Sequence, residues 1–351
     1  MKLAIIAITE GGAKLARTLG TAAEDAEVYL PERLRRPDNC RYFSRPLALE
    51  LPALFAGYQG LLCIMATGIV VRLLAPHLRG KETDPAVVVM DEKGDFAVSL
   101  LSGHLGGAND LARAAAELTG GQAVITTATD VNDLPAWDDV ARQEGMGIEP
   151  LPSIKRLNAL LLRGEPIALV DRGGRVAAHF ASVATVSCHG NFAQALGSGA
   201  AGQVFVTHRH IPLPRDQENL LLLRPRDLVV GIGCNRGTGA GEIEAAVKEE
   251  LSAAFLAFGS IASLATIEAK GDEAGLLEFA LLHRLPLALH SAAALNAVDA
   301  PSAESSHALA AVGARGVCEP AALLSAGGGP LLVTKKKRGN VTLAVAQRGG
   351  G

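Results

Sequence analysis

Short apolar runs and amphipathic stretches alternate along most of the chain. In the first third, Leu3–Ile8, Glu27–Leu30, Gly60–Met65, Ala86–Met90, Phe96–Leu101 and Ala123–Thr127 read as strands. Between them, Ala13–Leu19, Gly68–Leu74 and Asp110–Leu118 read as helices. From about Leu134 to Leu223 the periodicity weakens and Gly and Pro become frequent. Helices are expected there at Trp137–Gln143 and Ser153–Leu162, and strands at Ile167–Val170, Val176–Phe180 and Val204–Thr207. The last third opens on a strand, Asp227–Gly233, followed by a long helix, Gly241–Ala257. Strands at Leu264–Ile267 and Leu285–Leu289 flank a helix at Ala274–Leu282. Leu331–Thr334 and Val341–Ala346 are expected to pair as a hairpin with Lys335–Arg338 at its solvated tip. Strand and helix signals in alternation predict an α/β fold. The expected architecture is two α/β/α-type lobes with mainly parallel sheets, 1–133 and 226–347, joined by a small middle α+β segment, 134–225. A short tail, 348–351, follows.

Composition narrows the function. The chain has 351 residues, 49% of them hydrophobic, enough for a large core. A net charge of -3 and an aromatic content of 4% argue against nucleic acid as a partner. No apolar stretch is long enough to span a bilayer, so no membrane partner is expected. Met1–Ile8 turns polar at Thr9-Glu10-Gly11-Gly12, too early for a signal peptide. The five cysteines are scattered, without a C-x-x-C pair, as in reduced cytoplasmic proteins.

The most informative run is Leu100-Leu101-Ser102-Gly103-His104-Leu105-Gly106-Gly107-Ala108-Asn109, between a strand and a helix. Glycine permits close backbone approach and unusual φ angles. The run therefore reads as a strand–turn–helix whose exposed N–H groups form a seat for anionic oxygen. His104, inside the turn, exchanges a proton near neutral pH. Three other stretches share its setting at a strand end: Met65–Arg72, Lys81–Pro85 and Ile125–Asp130. In a parallel sheet such ends gather on one edge, where ligands bind. Thr67, Gly68, Lys81, Gly103, His104 and Asp130 are thus expected to line one cleft. Arg72, His77, Arg79 and Lys81 add positive charge suited to a substrate with several carboxylates. Taken singly, each has a plainer reading: Arg72 and Arg79 as solvated charges, Asp84-Pro85 as a turn, Thr126, Thr127 and Thr129 as strand residues or helix caps.

In the last third, Gly231-Ile232-Gly233-Cys234-Asn235-Arg236-Gly237 approximates a dinucleotide fingerprint, with its third glycine displaced by one. A turn that holds an acidic ligand group is the better reading. Lys270-Gly271-Asp272-Glu273 opens a helix; as a plain feature it is a first-turn acid beside a solvated lysine. Cys188-His189 lacks a second ligand pair for zinc, and Ser102 lacks a nucleophile-elbow setting.

The combination of Thr67–Arg72, Ala75-Pro76-His77-Leu78, Lys81 with Asp84–Val89, Leu100–Asn109 and Val124–Asp130 closely resembles the N-terminal domain of the CbiG family, the cobalt-precorrin-5A hydrolases of anaerobic cobalamin biosynthesis. Gly231–Cys234, Lys270, Glu273, Glu319–Ala322 and Lys335 resemble the CbiG C-terminal domain, which also occurs alone as CobE. The resemblance is strong over about 50–130 and 227–347 and weak between. It implies opening of the δ-lactone of a cobalt corrinoid precursor and expulsion of acetaldehyde to give cobalt-precorrin-5B. Cobalt then arrives within the substrate, so no cofactor and no protein metal site are expected. The partners it implies are cobalt-precorrin-5A, other enzymes of the pathway and a second copy of the chain.

That chemistry needs proton transfer and a stabilised oxyanion. His104 is the expected general base, with Asp130 as second choice or as its orienter. The N–H groups around Gly106 and Gly107 are candidate oxyanion donors, and Lys81 binds a carboxylate or stabilises charge. Thr67, Gly68, Arg72, Ser102, Gly103, Asn109, Thr126 and Thr127, with Gly233, Asn235, Lys270 and Glu273, are the expected substrate contacts. Two other classes stand beside the enzyme: a tetrapyrrole carrier without chemistry, and a dinucleotide-dependent oxidoreductase.

Overall fold

The computed structural model describes residues 1–23, 25–80, 83–211 and 218–349, and His307 by its backbone alone. Lys81 lies outside the described residues, as do Gly350 and Gly351 of the tail. The chain divides into two compact units, Met1–Arg142 with Asn158–Glu165, and Gln143–Leu157 with Pro166–Gly351.

The first unit is built on seven strands: β1 Leu3–Ala7, β2 Ala26–Pro31, β3 Arg41–Phe43, β4 Gly60–Ile64, β5 Ala86–Met90, β6 Phe96–Leu101 and β7 Gln122–Val124, in the order β3-β2-β1-β4-β5-β6-β7. Its helices are α1 Glu10–Ala22, α2 Leu47–Gly57, α3 Thr67–Leu74, α4 Ala108–Thr119, α5 Ala128–Val131 and α6 Trp137–Gln143, together with the end of α7 Pro152–Leu162. β1, β4 and β5 are buried along their whole length, because helices cover both faces. Leu3, Ile5, Ile64 and Val88 pack with Ala13 and Ala16 of α1 and Ala112 and Ala116 of α4. Ala4, Ile6, Leu61 and Val87 point the other way, toward Leu51 and Phe55 of α2 and Val70 of α3.

The sheet is not parallel throughout. β5 and β6 pair antiparallel, Val88 opposite Ser99 and Met90 opposite Ala97. The reversal is made by Asp91, whose carboxylate accepts from Lys93 N at 2.9 Å and Phe96 N at 2.7 Å, and by Gly94 at φ 81°. β7 then runs parallel to β6. The C-terminal ends of β1, β4 and β5 therefore lie on one edge of the sheet, and those of β6 and β7 on the opposite edge.

The second unit carries two five-stranded sheets. The first is β10-β9-β11-β12-β8, with β8 Gly147–Glu149, β9 Ile167–Asp171, β10 Val186–Cys188, β11 Gly202–Val206 and β12 Leu220–Arg224; only β8 is antiparallel. The middle segment thus has a mainly parallel sheet of its own. Val176–Phe180, expected as a strand, lies largely in a short helix, α8 Arg175–His179. The Asp171 carboxylate accepts from Val176 N and Ala177 N at 2.8 and 2.9 Å, a local cap that outweighs β propensity. Helix α9 spans Phe192–Leu196.

The second sheet is β15-β14-β13-β17-β16, with β13 Leu228–Cys234, β14 Ile261–Ile267, β15 Leu287–His290, β16 Leu331–Arg338 and β17 Val341–Gln347. Helices α10 Ala240–Ala253 and α11 Ala274–Leu282 cover one face; α12 Ala292–Asn296 and α14 Cys318–Ala326 cover the other, with α13 Ser306–Val312 between the latter two in sequence. Lys335–Arg338 is strand, not hairpin tip; the turn is Gly339-Asn340. Across the described residues no helix is long and apolar enough to cross a membrane.

Candidate functional site

His104 follows β6 in a turn that two left-handed residues fold back on itself, Ser102 at φ 58° and Gly107 at φ 86°. A Cβ on Gly106 would stand 2.4 Å from Ser102 Cβ and 3.3 Å from Ala86 N, so only glycine lets the turn close against the start of β5. A Cβ on Gly103 would meet Asn109 Oδ1 at 2.8 Å. The N–H groups of Gly107, Ala108 and Asn109 donate to the carbonyls of His104, Ser102 and Gly103 at 2.9–3.1 Å. The expected anion seat is therefore taken up inside the turn at these three positions, and Gly107 is not an oxyanion donor. What the turn does is present His104.

Each nitrogen of the His104 ring faces a carboxylate. Nε2 lies 2.9 Å from Asp130 Oδ2 and 3.2 Å from Thr129 Oγ1. Nδ1 lies 3.5 Å from Asp138 Oδ1. Asp130, on α5, is drawn into place by β6, α4 and α5 together. Asn109 is buried and accepts from Ser99 Oγ at 2.7 Å, while its Nδ2 donates to Thr127 Oγ1 and Asp130 Oδ2, each at 3.1 Å. Thr127 Oγ1 adds a third donor to Asp130 Oδ2 at 2.5 Å, and Arg113 of α4 holds Oδ1 at 2.5 Å.

Burial alone would push the His104 pKa down. The hydrogen bonds to Asp138 and Asp130, with their charges, outweigh it and raise the ring to about 9. Burial likewise pushes the Asp130 carboxyl up, but Thr127, His104 and Arg113 bring it below its ordinary value. Asp138 is lowered against burial by His104 and Asn158. At neutral pH the centre is an imidazolium between two carboxylates, and it can donate a proton.

The single cleft expected from the sequence does not form. Gly103, His104, Asn109, Thr127 and Asp130 gather on the edge where β6 and β7 end; Thr126, exposed, lies in the same loop. Thr67, Gly68 and Arg72, all exposed on α3, stand on the opposite edge, where β4 ends. A cavity of about 350 Å³ lies beside Thr67, lined also by Thr9, Asp91, Glu92 and Phe96. The cause is the reversal at Asp91–Phe96, which turns β6 against the parallel strands. Asp84 closes its own loop by accepting from Arg79 N and Gly80 N, each at 3.1 Å.

In the second unit Gly233, Asn235, Lys270 and Glu273 do converge, where β13 and β14 end. Glu273, buried at the start of α11, accepts from Gly237 N at 2.6 Å and Lys270 Nζ at 3.1 Å. The Gly237 bond chiefly, then Lys270, holds its carboxyl low against burial. Asn235 pairs with Asn340 Oδ1 at 2.8 Å, and Arg236 with Asp272 at 2.8 Å. The glycine fingerprint here serves packing. A Cβ on Gly231 would stand 1.9 Å from Cys318 O, and one on Gly233 would stand 2.7 Å from Thr342 Oγ1. Glu319 is buried and fixed by Ser302 N, Ser302 Oγ and Lys335 N at 2.8–3.1 Å.

Thr129, singled out in the sequence only within the Ile125–Asp130 stretch, belongs to the His104 centre; Asp138, Arg113 and Asn158 belong to it too and escape the sequence reading. The one local sign of Asp138 is its place beside Trp137, the chain's one tryptophan, at the start of a helix.

Fold and site define an α/β protein with a histidine–carboxylate centre at a sheet edge. Residues 50–130 match the family model for cobalamin synthesis G, N-terminal; 135–225 match the cobalamin biosynthesis central region, and 228–346 the cobalamin synthesis G C-terminus. The chain is 38% identical to the cobalt-precorrin-5A hydrolase of Priestia megaterium, covering 98% of this chain and 94% of that protein. It is 32% identical to that of Salmonella typhimurium, covering 98% and 97%. Over 31% of its length it is 36% identical to the CobE protein of a Sinorhizobium species, covering 71% of that protein. The chain belongs to the CbiG family.

Proposed function

We propose that this chain is a hydrolase of cobalt-precorrin-5A, opening the δ-lactone with water and releasing acetaldehyde to leave cobalt-precorrin-5B. The observation that carries the reading is 38% identity to the Priestia megaterium cobalt-precorrin-5A hydrolase over 98% of this chain. The His104 centre supports it chemically. Water adds to the lactone carbonyl, one of its two protons passing to solvent, and the ring C–O bond breaks. The imidazolium gives its Nε2 proton to the departing oxygen, which becomes a hydroxyl, and the new carboxylic acid ionises to solvent. His104, now neutral, takes the proton back from that hydroxyl as the adjacent C–C bond breaks. The electron pair of that bond passes into the macrocycle, acetaldehyde leaves, and the imidazolium is restored.

A resting pKa of about 9 suits this order, acid first and base second. His104, expected as the general base, acts in this reading first as an acid and then as that base. Asp130 shares Nε2 and yields it to the substrate oxygen. Gly106 N–H is the remaining oxyanion candidate of the turn. Thr67, Gly68 and Arg72, on the other edge, take no part at the reacting bond. The only cobalt in this reading is the substrate's own.

The test is incubation of the purified chain with cobalt-precorrin-5A, with acetaldehyde read by a coupled alcohol dehydrogenase. One equivalent of acetaldehyde per substrate consumed is expected. Tight binding of the corrinoid with no aldehyde would make the chain a carrier instead.

A further inference from the structure

We infer that Asp138 and Asn158 are positioning residues that lock Nδ1 of His104 to the protein and leave Nε2 to face the reacting bond; the inference rests on the proton-transfer role proposed above. The two carboxylates on the ring are not equivalent. Asp130 is 18% exposed and Asp138 only 4%. Asp138 is therefore the carboxylate behind the ring, and Nε2 with Asp130 is the side that a substrate reaches.

Asp138 is itself held. The oxygen that faces His104 Nδ1 also accepts from Asn158 Nδ2 at 2.9 Å. Asn158 is fixed at its other end, where Oδ1 accepts the backbone N–H of Trp137 at 3.0 Å. Trp137 is fully buried, so this anchor belongs to the core. The amide donates to Asp138 without bringing charge, which leaves the carboxylate's charge to the imidazolium. An Arg or Lys in that place would compete for it. The result is a run of fixed groups, from the α6 backbone through Asn158 to Asp138, whose Oδ1 faces Nδ1 across a 3.5 Å ion pair. It sets the ring plane and opposes a flip about Cβ–Cγ, which would put ring carbons where Nδ1 and Nε2 now stand.

The other charges around the ring have other duties. Asp130 of α5 carries Arg113 of α4 on its second oxygen. Arg142 of α6 is taken by Asp110 and Asp139. Asp138 is thus the acidic group on the closed side of the ring, and its removal frees the ring while leaving the Asp130 side in place. The sequence offered Asp130 as second-choice base or as orienter of His104; the orienting role inferred here belongs to Asp138.

The test compares Asp138→Asn, Asn158→Ala and His104→Ala in the full chain. In Asp138→Asn, kcat is expected to fall roughly 10²–10⁴-fold with KM unchanged. The His104 titration, followed by NMR on histidine-labelled protein, should move from about 9 toward ~6.5. Asn158→Ala should lower kcat by a smaller factor, again with KM unchanged and the unfolding temperature recorded alongside. If Asp138→Asn does not fold, Asn158→Ala decides. Full kcat in Asn158→Ala, or full kcat with an unmoved His104 titration in folded Asp138→Asn, overturns the positioning role. If His104→Ala loses activity while both positioning variants keep it, that role alone falls. If His104→Ala keeps full activity, the proton-transfer reading falls and takes the positioning role with it.

Discussion

At the scale of the residue, an imidazole between two carboxylates ties stability to pH. Unfolded histidine titrates near ~6.5, and folded His104 near about 9. Its pairing thus stabilises the fold fully below roughly pH 6.5 and fades as the pH rises through about 9. The shift amounts to on the order of 3 kcal/mol, counted once for the cluster. Asp130 and Asp138 are held below their ordinary values. Their side of the same interaction is lost as the pH falls through those lowered values. Wild type should therefore lose unfolding temperature between pH 6.5 and 9 relative to His104→Gln, whose curve should be flatter over that range. Parallel curves would show that the imidazolium is not held as described. His104 and Asp130 were legible in the sequence because each follows a strand within a run of unusual composition. Asp138 was not, because its partnership with His104 is a long-range contact of a helix that carries no motif.

At the scale of the element, the glycines after β13 show how a motif misleads. Gly231 is a contact point between β13 and α14: the Cβ of alanine there would overlap the Cys318 carbonyl oxygen at 1.9 Å. Gly231→Ala should destabilise the chain by roughly 1–3 kcal/mol, the usual cost of overpacking, read as a lower midpoint in urea. An unchanged midpoint would mean that α14 shifts freely on the sheet. The apolar runs made β5 and β6 legible to the residue, as continuous strands between turn signals. The direction of β6 was not legible in the same way. It depends on whether five residues, Asp91 to Asp95, make a tight turn or lead into a crossover, and the strand's own side chains are the same in either case. That one reversal splits the expected cleft into two edges. The strand expected at Val176 failed for a related reason. A carboxylate a few residues upstream capped the backbone, and hydrogen bonds of that kind are invisible to hydrophobic periodicity.

At the scale of the whole molecule, the centre draws on more than the N-terminal family region. That region matches through residue 130. Asp138 and Asn158 lie within the central region, 135–225, yet both belong to the first compact unit. Any account of the reaction built on the N-terminal region alone therefore lacks the closed side of the His104 ring. The second unit keeps its own polar cluster around Glu273 and Lys270, assembled independently where β13 and β14 end.

The most direct measurement is the rate of acetaldehyde formation from saturating cobalt-precorrin-5A by His104→Ala and by wild type, with corrinoid affinity measured separately. Loss of the proton-transfer group should lower the rate roughly 10²–10⁴-fold and leave affinity nearly unchanged. A variant that releases acetaldehyde at close to the wild-type rate would contradict the account.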